Sequence, residues 1–153
     1  MRRNERAIDD RGEIDAIIRA CRVCRLGMTD GEQPYVVPLS FGYDGRALYF
    51  HCAPEGRKLE LLRANPRVCV EFDLLDAIVE SERGCGWGMR YRSVIGLGRA
   101  AFVEEADKET ALAIILAQYS QRAFSFAPEM VRRTVLVRVD FDELTGKRSP
   151  KRE

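Results

Sequence analysis

Leu48 to Pro66, LYFHCAPEGRKLELLRANP, gathers the residue types best suited to chemistry in this 153-residue chain. An apolar run reaches His51, the only histidine. Pro54, Gly56, the adjacent cations Arg57 and Lys58, and a short leucine-bearing segment that Asn65-Pro66 stops then follow. A glycine and two cations that open a helix directly after a strand suit an anion the size of a phosphate. The first amides of a helix have no intrahelical acceptor, and the dipole there is positive. A phosphate accepts those N–H groups, an arginine adds a bidentate charge-assisted pair, and a lysine adds a compact second charge. The alternative is the solvated first turn of a surface helix, where cations oppose the dipole by on the order of a few tenths of a kcal/mol. His51 divides in the same way, as a hydrogen-bonded structural residue on a strand or as a donor or proton carrier beside a cofactor ring.

Other chemistries find less support. G-x-x-x-x-G-K-[ST] is absent, and GLGRAA from Gly96 echoes G-x-G-x-x-G/A without a helix after it, so neither nucleotide fingerprint applies. No serine sits in a G-x-S-x-G elbow, and a single histidine would have to serve any triad. The five cysteines, Cys21, Cys24, Cys52, Cys69 and Cys85, are an odd count in a chain that does not open on a signal peptide, which argues against a disulfide framework. Cys21 and Cys24 form one C-x-x-C, but no second pair supports zinc, and the motif falls where a helix ends rather than begins. The expectation is small buried side chains and no metal.

The bulk numbers narrow the class. At 46% hydrophobic and 32% charged residues the composition is that of a globular domain, and we expect one domain over residues 1–153. A net charge of +1, from 25 basic and 24 acidic residues, supplies no field for nucleic acid. The basic end, GKRSPKRE, reads as a solvated terminus. No apolar run approaches the ~20 residues of a spanning helix, and the charged MRRNERAIDD lacks a signal-peptide core. The expectation is a cytoplasmic protein with no membrane partner.

Positioning these residues requires a mostly antiparallel sheet. Ile14, Ile17, Ile18 and Cys21 make one helical stripe, with Asp10 and Glu13 spaced as a capping box. Asp30-Gly31 and Asp44-Gly45 between β-prone runs predict a three-stranded meander over Val23–Met28, Tyr35–Tyr43 and Arg46–Ala53. Pro38 assigns the middle strand to an edge or a bulge, leaving backbone groups free. A short helix carries Leu59 and Leu62 inward. RVCVEF is a fourth strand, and a glycine-rich loop precedes RYRSVIGLGRAAFVEE, where Gly96 and Gly98 predict a bend or a close backbone approach. DKETALAIILAQYSQRAF is a helix with Ala111, Leu112, Ile115, Leu116 and Tyr119 on one face, and RTVLVRVDFDEL is a sixth strand. The fold class is mainly β with flanking α: a six-stranded closed or split β-barrel with helices outside.

At this point PYVVPLSFGYDGRALYFHCAPEGRKLELLRANPRVCVEF, YRSVIGLGRA and the late TGK resemble the pyridoxamine 5'-phosphate oxidase-like flavoproteins, and within them the nitroimidazole-resistance branch, from about Arg3 to Lys147. The resemblance implies an FMN-binding split β-barrel in a homodimer, with FMN in two equivalent clefts between subunits. Arg57 and Lys58 match the phosphate ligands. Phe50, His51, Cys52 and Ala53 match the strand that passes the ribityl chain and flavin. Val37, Pro38, Leu39 and Ser40 match the strand whose free backbone groups face the isoalloxazine. Ser93, with Arg92 and Val94, matches a strand lining the cleft. Two departures lead away from vitamin B6 oxidation. Val36 stands where those oxidases place a phosphate-binding arginine, and the tail TGKRSPKRE lacks their tryptophan.

The expected function is therefore an FMN-dependent oxidoreductase of the nitroimidazole-reductase type. It would use NAD(P)H and a small acceptor, with His51 beside the ring and the Gly84–Gly88 loop bearing Trp87 as a lid or an ordinary packed aromatic. The alternative is a non-catalytic flavin or haem carrier or sensor on the same barrel, with His51 as the conceivable axial ligand.

Overall fold

A two-residue strand, β1 (Ala7–Ile8), leads into α1 (Arg11–Ala20) in the computed structural model, which describes residues 4–150. Arg3 and the last three residues of the basic tail lie outside the described residues. The predicted cap forms: Asp10 Oδ1 accepts the Glu13 N–H at 2.7 Å. Ile14, Ile17 and Ile18 are buried as the stripe requires. The far end of α1 is finished from elsewhere in the chain. Gln118 Nε2 donates to the carbonyls of Ile18, Arg19 and Cys21 at 3.2, 3.1 and 2.9 Å, satisfying groups that the last helical turn leaves open.

The next four strands are β2 (Cys24–Thr29), β3 (Pro34–Leu39), β4 (Gly42–Tyr43) and β5 (Ala47–Cys52). After α2 (Arg57–Ala64) come two long strands, β6 (Arg67–Val79) and β7 (Gly88–Phe102). The helices α3 (Lys108–Ala117) and α4 (Pro128–Arg133) and the closing strand β8 (Val135–Arg148) complete the chain. All pairings are antiparallel, in the order β3-β2-β6-β7-β8-β5-β4, with β1 on β8. The sheet thus has eight strands rather than six, because β1 adds one and the second run of the expected meander divides in two.

That division makes the barrel. Both Asp-Gly turns form, with positive φ at Gly31 and Gly45 and with Asp30 and Asp44 each accepting two backbone N–H groups. The hairpins they close nevertheless sit at opposite ends of the sheet. Leu39 ends the first strand in the order and Gly42 begins the last, so Ser40 and Phe41 carry the chain from one sheet edge to the other. A sheet whose end strands are three residues apart must curl into a half-closed barrel. Phe41 turns inward at the crossing, fully buried, its ring edge-on to Phe72 at 5.3 Å. Tyr119 Oη accepts the Phe41 N–H at 2.8 Å and donates to the Arg22 carbonyl at 2.9 Å, fixing the crossing from the end of α3. Pro38 lies on the edge strand β3, as its missing N–H requires.

The barrel interior is filled by Leu26, Met28, Phe41, Leu48, Phe50, Val70, Phe72, Val94, Val137 and Val139, and α1 and α2 lie against it through Ile17, Ile18, Leu61 and Leu62. A second cluster, Ala47, Tyr49, Ala111, Ile115 and Leu136, seats α3 on the other face of β5 and β8. Gly96 and Gly98 of β7 sit where no side chain fits. A Cβ on Gly96 would fall 2.4 Å from the Phe141 ring, and one on Gly98, at a bulge, 2.2 Å from the Asp140 carbonyl oxygen.

Cys21 and Cys24 are both buried, and burial pushes their thiols up to about 11 and about 12. Their folded pKa values exceed that of an unfolded thiol, so the folded state binds more protons above pH 9. Stability is full below pH 9 and falls as pH rises through 11 to 12. Thiol titration of the native protein at pH 8 should show one fast class, from exposed Cys85, which Cys85→Ser removes. A fast class that survives that substitution and also survives replacement of half-buried Cys52 and Cys69 would contradict the burial of Cys21 and Cys24.

Candidate functional site

Two open strand edges face each other across the split of the barrel. β3 pairs only with β2, so alternate residues turn backbone groups away from the sheet. On the other side, β4 covers β5 only at Leu48 and Tyr49, leaving the Phe50–Cys52 end of β5 with β8 as its single partner. Inward and outward residues alternate along both strands. Tyr35, Val37 and Leu39 of β3 and Phe50 and Cys52 of β5 face the core, whereas Val36, Pro38, His51 and Ala53 are exposed.

The first turn of α2 bridges the gap. Gly56 caps it at φ 122°, a conformation that favours glycine, with no side-chain hydrogen bond to the turn. The Gly56 carbonyl already accepts from Leu59 and Glu60 at 3.0 and 3.3 Å, while the amides of Arg57 and Lys58 have no intrahelical acceptor. The Arg57 guanidinium lies 5.3 Å from the Tyr35 ring on β3, and Lys58 Nζ lies 5.4 Å from the Phe50 ring on β5. Glu55 and Glu60 flank the pair in sequence. Even so, among the described residues neither cation makes an ion pair. Two cations outside any ion pair, free amides and an open backbone edge on each side fit a phosphate with a flat group beside it.

Cys52 is half-buried near this turn. Burial raises its thiol pKa, and Lys58 and Arg63 pull against it without prevailing, so the thiol is protonated at neutral pH. Its Sγ lies 3.9 Å from the Val135 carbonyl. His51 is exposed, paired in the ladder with Leu136 and turned outward beside Ala53. Among the described residues no group of three or more His, Cys, Asp or Glu could hold a metal.

Val37, Pro38, Leu39, Ser40, Phe50, His51, Cys52, Ala53, Arg57 and Lys58 therefore border the split, Val37, Leu39, Phe50 and Cys52 toward the core and Pro38, His51 and Ala53 on the outer side. Ser93 does not join them within one chain. Val36 aligns through Gly27 and Cys69 with Leu97, so Ser93 lies three strands away and four residues further along β7. That is about 14 Å across and about 13 Å along the sheet. Ser93 shares the outer face with Ile95 and Leu97 and pairs with Asp73 and Lys147. Trp87 is also remote: it sits at the tip of the β6–β7 arm, half-exposed, with Nε1 donating to the Ser81 carbonyl at 2.7 Å. It does not cover α2 of its own chain.

Tyr35, Arg63 and Phe102 are neighbours of the site that spacing does not single out. Tyr35 reads as one more strand residue, and Arg63 as the polar face of a short helix. Phe102 reaches the site only through the ladder Phe50↔Val137↔Phe102.

This architecture, a curled antiparallel sheet with α2 set across its split, is that of the flavin-binding split barrels. The chain belongs to the pyridoxamine 5'-phosphate oxidase family, whose model matches residues 10–148. A candidate 5-nitroimidazole antibiotic resistance protein of Bacteroides thetaiotaomicron is 37% identical over 92% of this chain and 85% of its own, with a TM-score of 0.83. An FAD-binding protein of Mesorhizobium loti is 27% identical over 95% and 98% of the two chains, with a TM-score of 0.68. An uncharacterised Rhizobium meliloti protein aligns at 33% identity over 62 residues, so that the match spans 40% of this chain and 40% of that relative.

Proposed function

We propose that the protein binds FMN, with its phosphate on the first turn of α2, and acts as an NAD(P)H-dependent oxidoreductase of the nitroimidazole-reductase type. The observation that carries this reading is the α2 terminus, which has no side-chain cap and carries Arg57 and Lys58 outside any ion pair among the described residues, set between the open edges of β3 and β5. The likeness to the Bacteroides protein favours a nitro compound or a similar small acceptor.

Bound flavin supplies the redox chemistry, and the chain supplies binding, orientation and electrostatics. Arg57 and Lys58 hold the phosphate. Free backbone groups along Val37–Leu39 and Ser40 orient the ring edge. Phe50, Cys52 and Ala53 carry the strand past the sugar-alcohol chain. His51 is outward and solvent-accessible, on the face of β5 opposite Phe50 and Cys52, and the role proposed for it is to pass a proton to the acceptor.

We assign the second half of each site to a second copy. Ser93 lies outside the cleft of its own chain, on an outer face where Val36, Ile95 and Leu97 are open beside the Arg25–Glu71 and Arg25–Asp73 ion pairs, and Leu75, Ile78 and Met89 are open further along the β6–β7 arm. Exposed apolar side chains grouped around charged residues are characteristic of a protein interface. A symmetric pairing would bring Ser93 of one copy toward α2 of the other.

The test is the visible spectrum of the purified protein before and after FMN is added, followed by anaerobic titration with NADH and NADPH. A flavin spectrum that bleaches with reductant supports the enzyme. A flavin spectrum inert to reductant indicates a carrier, and a strong Soret band indicates haem. His51→Ala is expected to leave FMN affinity within about twofold while lowering kcat about 100-fold, as loss of a positioned proton donor does. An unchanged kcat would remove the proton-transfer role.

A further inference from the structure

We propose that the site continues past Lys58 into a second subsite, formed by Arg63 and Phe102, that receives the phosphate and base of an adenylate group. This rests on the reading of the first turn of α2 as a flavin-phosphate site. Phe50, Val137 and Phe102 lie in one row across β5, β8 and β7. Their strands are about 4.8 Å apart, so the two backbone positions are about 10 Å apart. Each carries a cation: Lys58 Nζ at 5.4 Å from the Phe50 ring and the Arg63 guanidinium carbon at 5.7 Å from the Phe102 ring. Both cations also lower the Cys52 thiol pKa against its burial.

The two pairs differ in one respect. Phe50 is fully buried and belongs to the core, whereas Phe102 is 41% exposed. Among the described residues Arg63, like Arg57 and Lys58, makes no ion pair. A single phosphate held by Arg57 and Lys58 leaves Arg63 unused. Arg63 is six residues along α2 from Arg57, about 9 Å of helix axis, a distance that a second phosphate and its ribose span. An arginine outside any ion pair over an open ring offers what an adenylate needs: a fork for the phosphate and an aromatic face for the base. Two molecules carry such a group here, FAD as the cofactor and NADPH as the reductant.

The experiment compares wild type with Arg63→Ala and Phe102→Leu. It measures Kd for FMN and for FAD by flavin fluorescence, and Kd for NADPH on the FMN-loaded protein by calorimetry. FMN affinity is expected to change by less than about twofold, while Kd for FAD or for NADPH rises about tenfold in both variants. A rise for FAD assigns the adenylate to the cofactor, and a rise for NADPH assigns it to the reductant. If all three affinities fall by the same factor, or none changes, the subsite is refuted while the phosphate reading stands. If wild type binds no flavin, the phosphate reading fails and the subsite falls with it.

Discussion

Replacing Arg57 and Lys58 together by alanine is expected to cost about 3–5 kcal/mol of FMN binding, or about 150- to 4,000-fold in Kd. Each side chain would remove a charge-assisted contact to a phosphate that is otherwise held only by amides. The fold should be almost untouched. Arg57 is exposed and Lys58 half-buried, neither makes an ion pair among the described residues, and the cations oppose the helix dipole they sit on. Thermal denaturation with and without saturating FMN separates the two effects. Wild type should gain Tm from the ligand, and the double variant should match the wild-type apo Tm while gaining almost nothing. Full FMN affinity in the double variant would mean that the phosphate lies elsewhere.

Phe41→Ala should give the largest loss of stability of any change near the site, about 3–5 kcal/mol and roughly 10 °C in Tm. Phe41 is fully buried at the point where the chain crosses from β3 to β4, and its ring meets Phe72 edge-on at 5.3 Å. The cavity it leaves would lie under the two-residue link that holds the sheet edges together, so the split itself should loosen. A denaturant midpoint within experimental error of wild type would show that the crossing is held by other contacts, such as the Tyr119 hydrogen bond to its backbone.

Local chemistry accounts for what could be read in advance. The Asp10 cap, the two Asp-Gly turns, the α2 start at Gly56 and the edge position of Pro38 all follow from residue types acting over a few positions. The strand count and the fate of the meander do not. Nothing local in VVPLSFGY states that the chain leaves one sheet edge at Leu39 and joins the other at Gly42, because the gain is long-range: burial of Phe41 against Phe72, thirty-one positions later. The β6–β7 arm is longer than its apolar pattern, since its outer residues Leu75, Ile78 and Met89 stay exposed in one chain. α4 is short and enters through Pro128 at its first turn, a start signal without a periodic face to support it. Within the site, the helix start could be read from Gly56-Arg57-Lys58 alone, whereas the remoteness of Ser93 and the nearness of Arg63 and Phe102 depend on register.

The most direct measurement compares FMN with riboflavin, the same ring and side chain without the phosphate, in one fluorescence titration of the wild-type protein. If α2 grips the phosphate, riboflavin should bind at least about 100-fold more weakly than FMN, and that gap should close in the Arg57→Ala, Lys58→Ala double variant. Equal affinity for the two ligands in wild type would contradict the assignment, since a group that contributes nothing to binding is not held by two arginine and lysine charges.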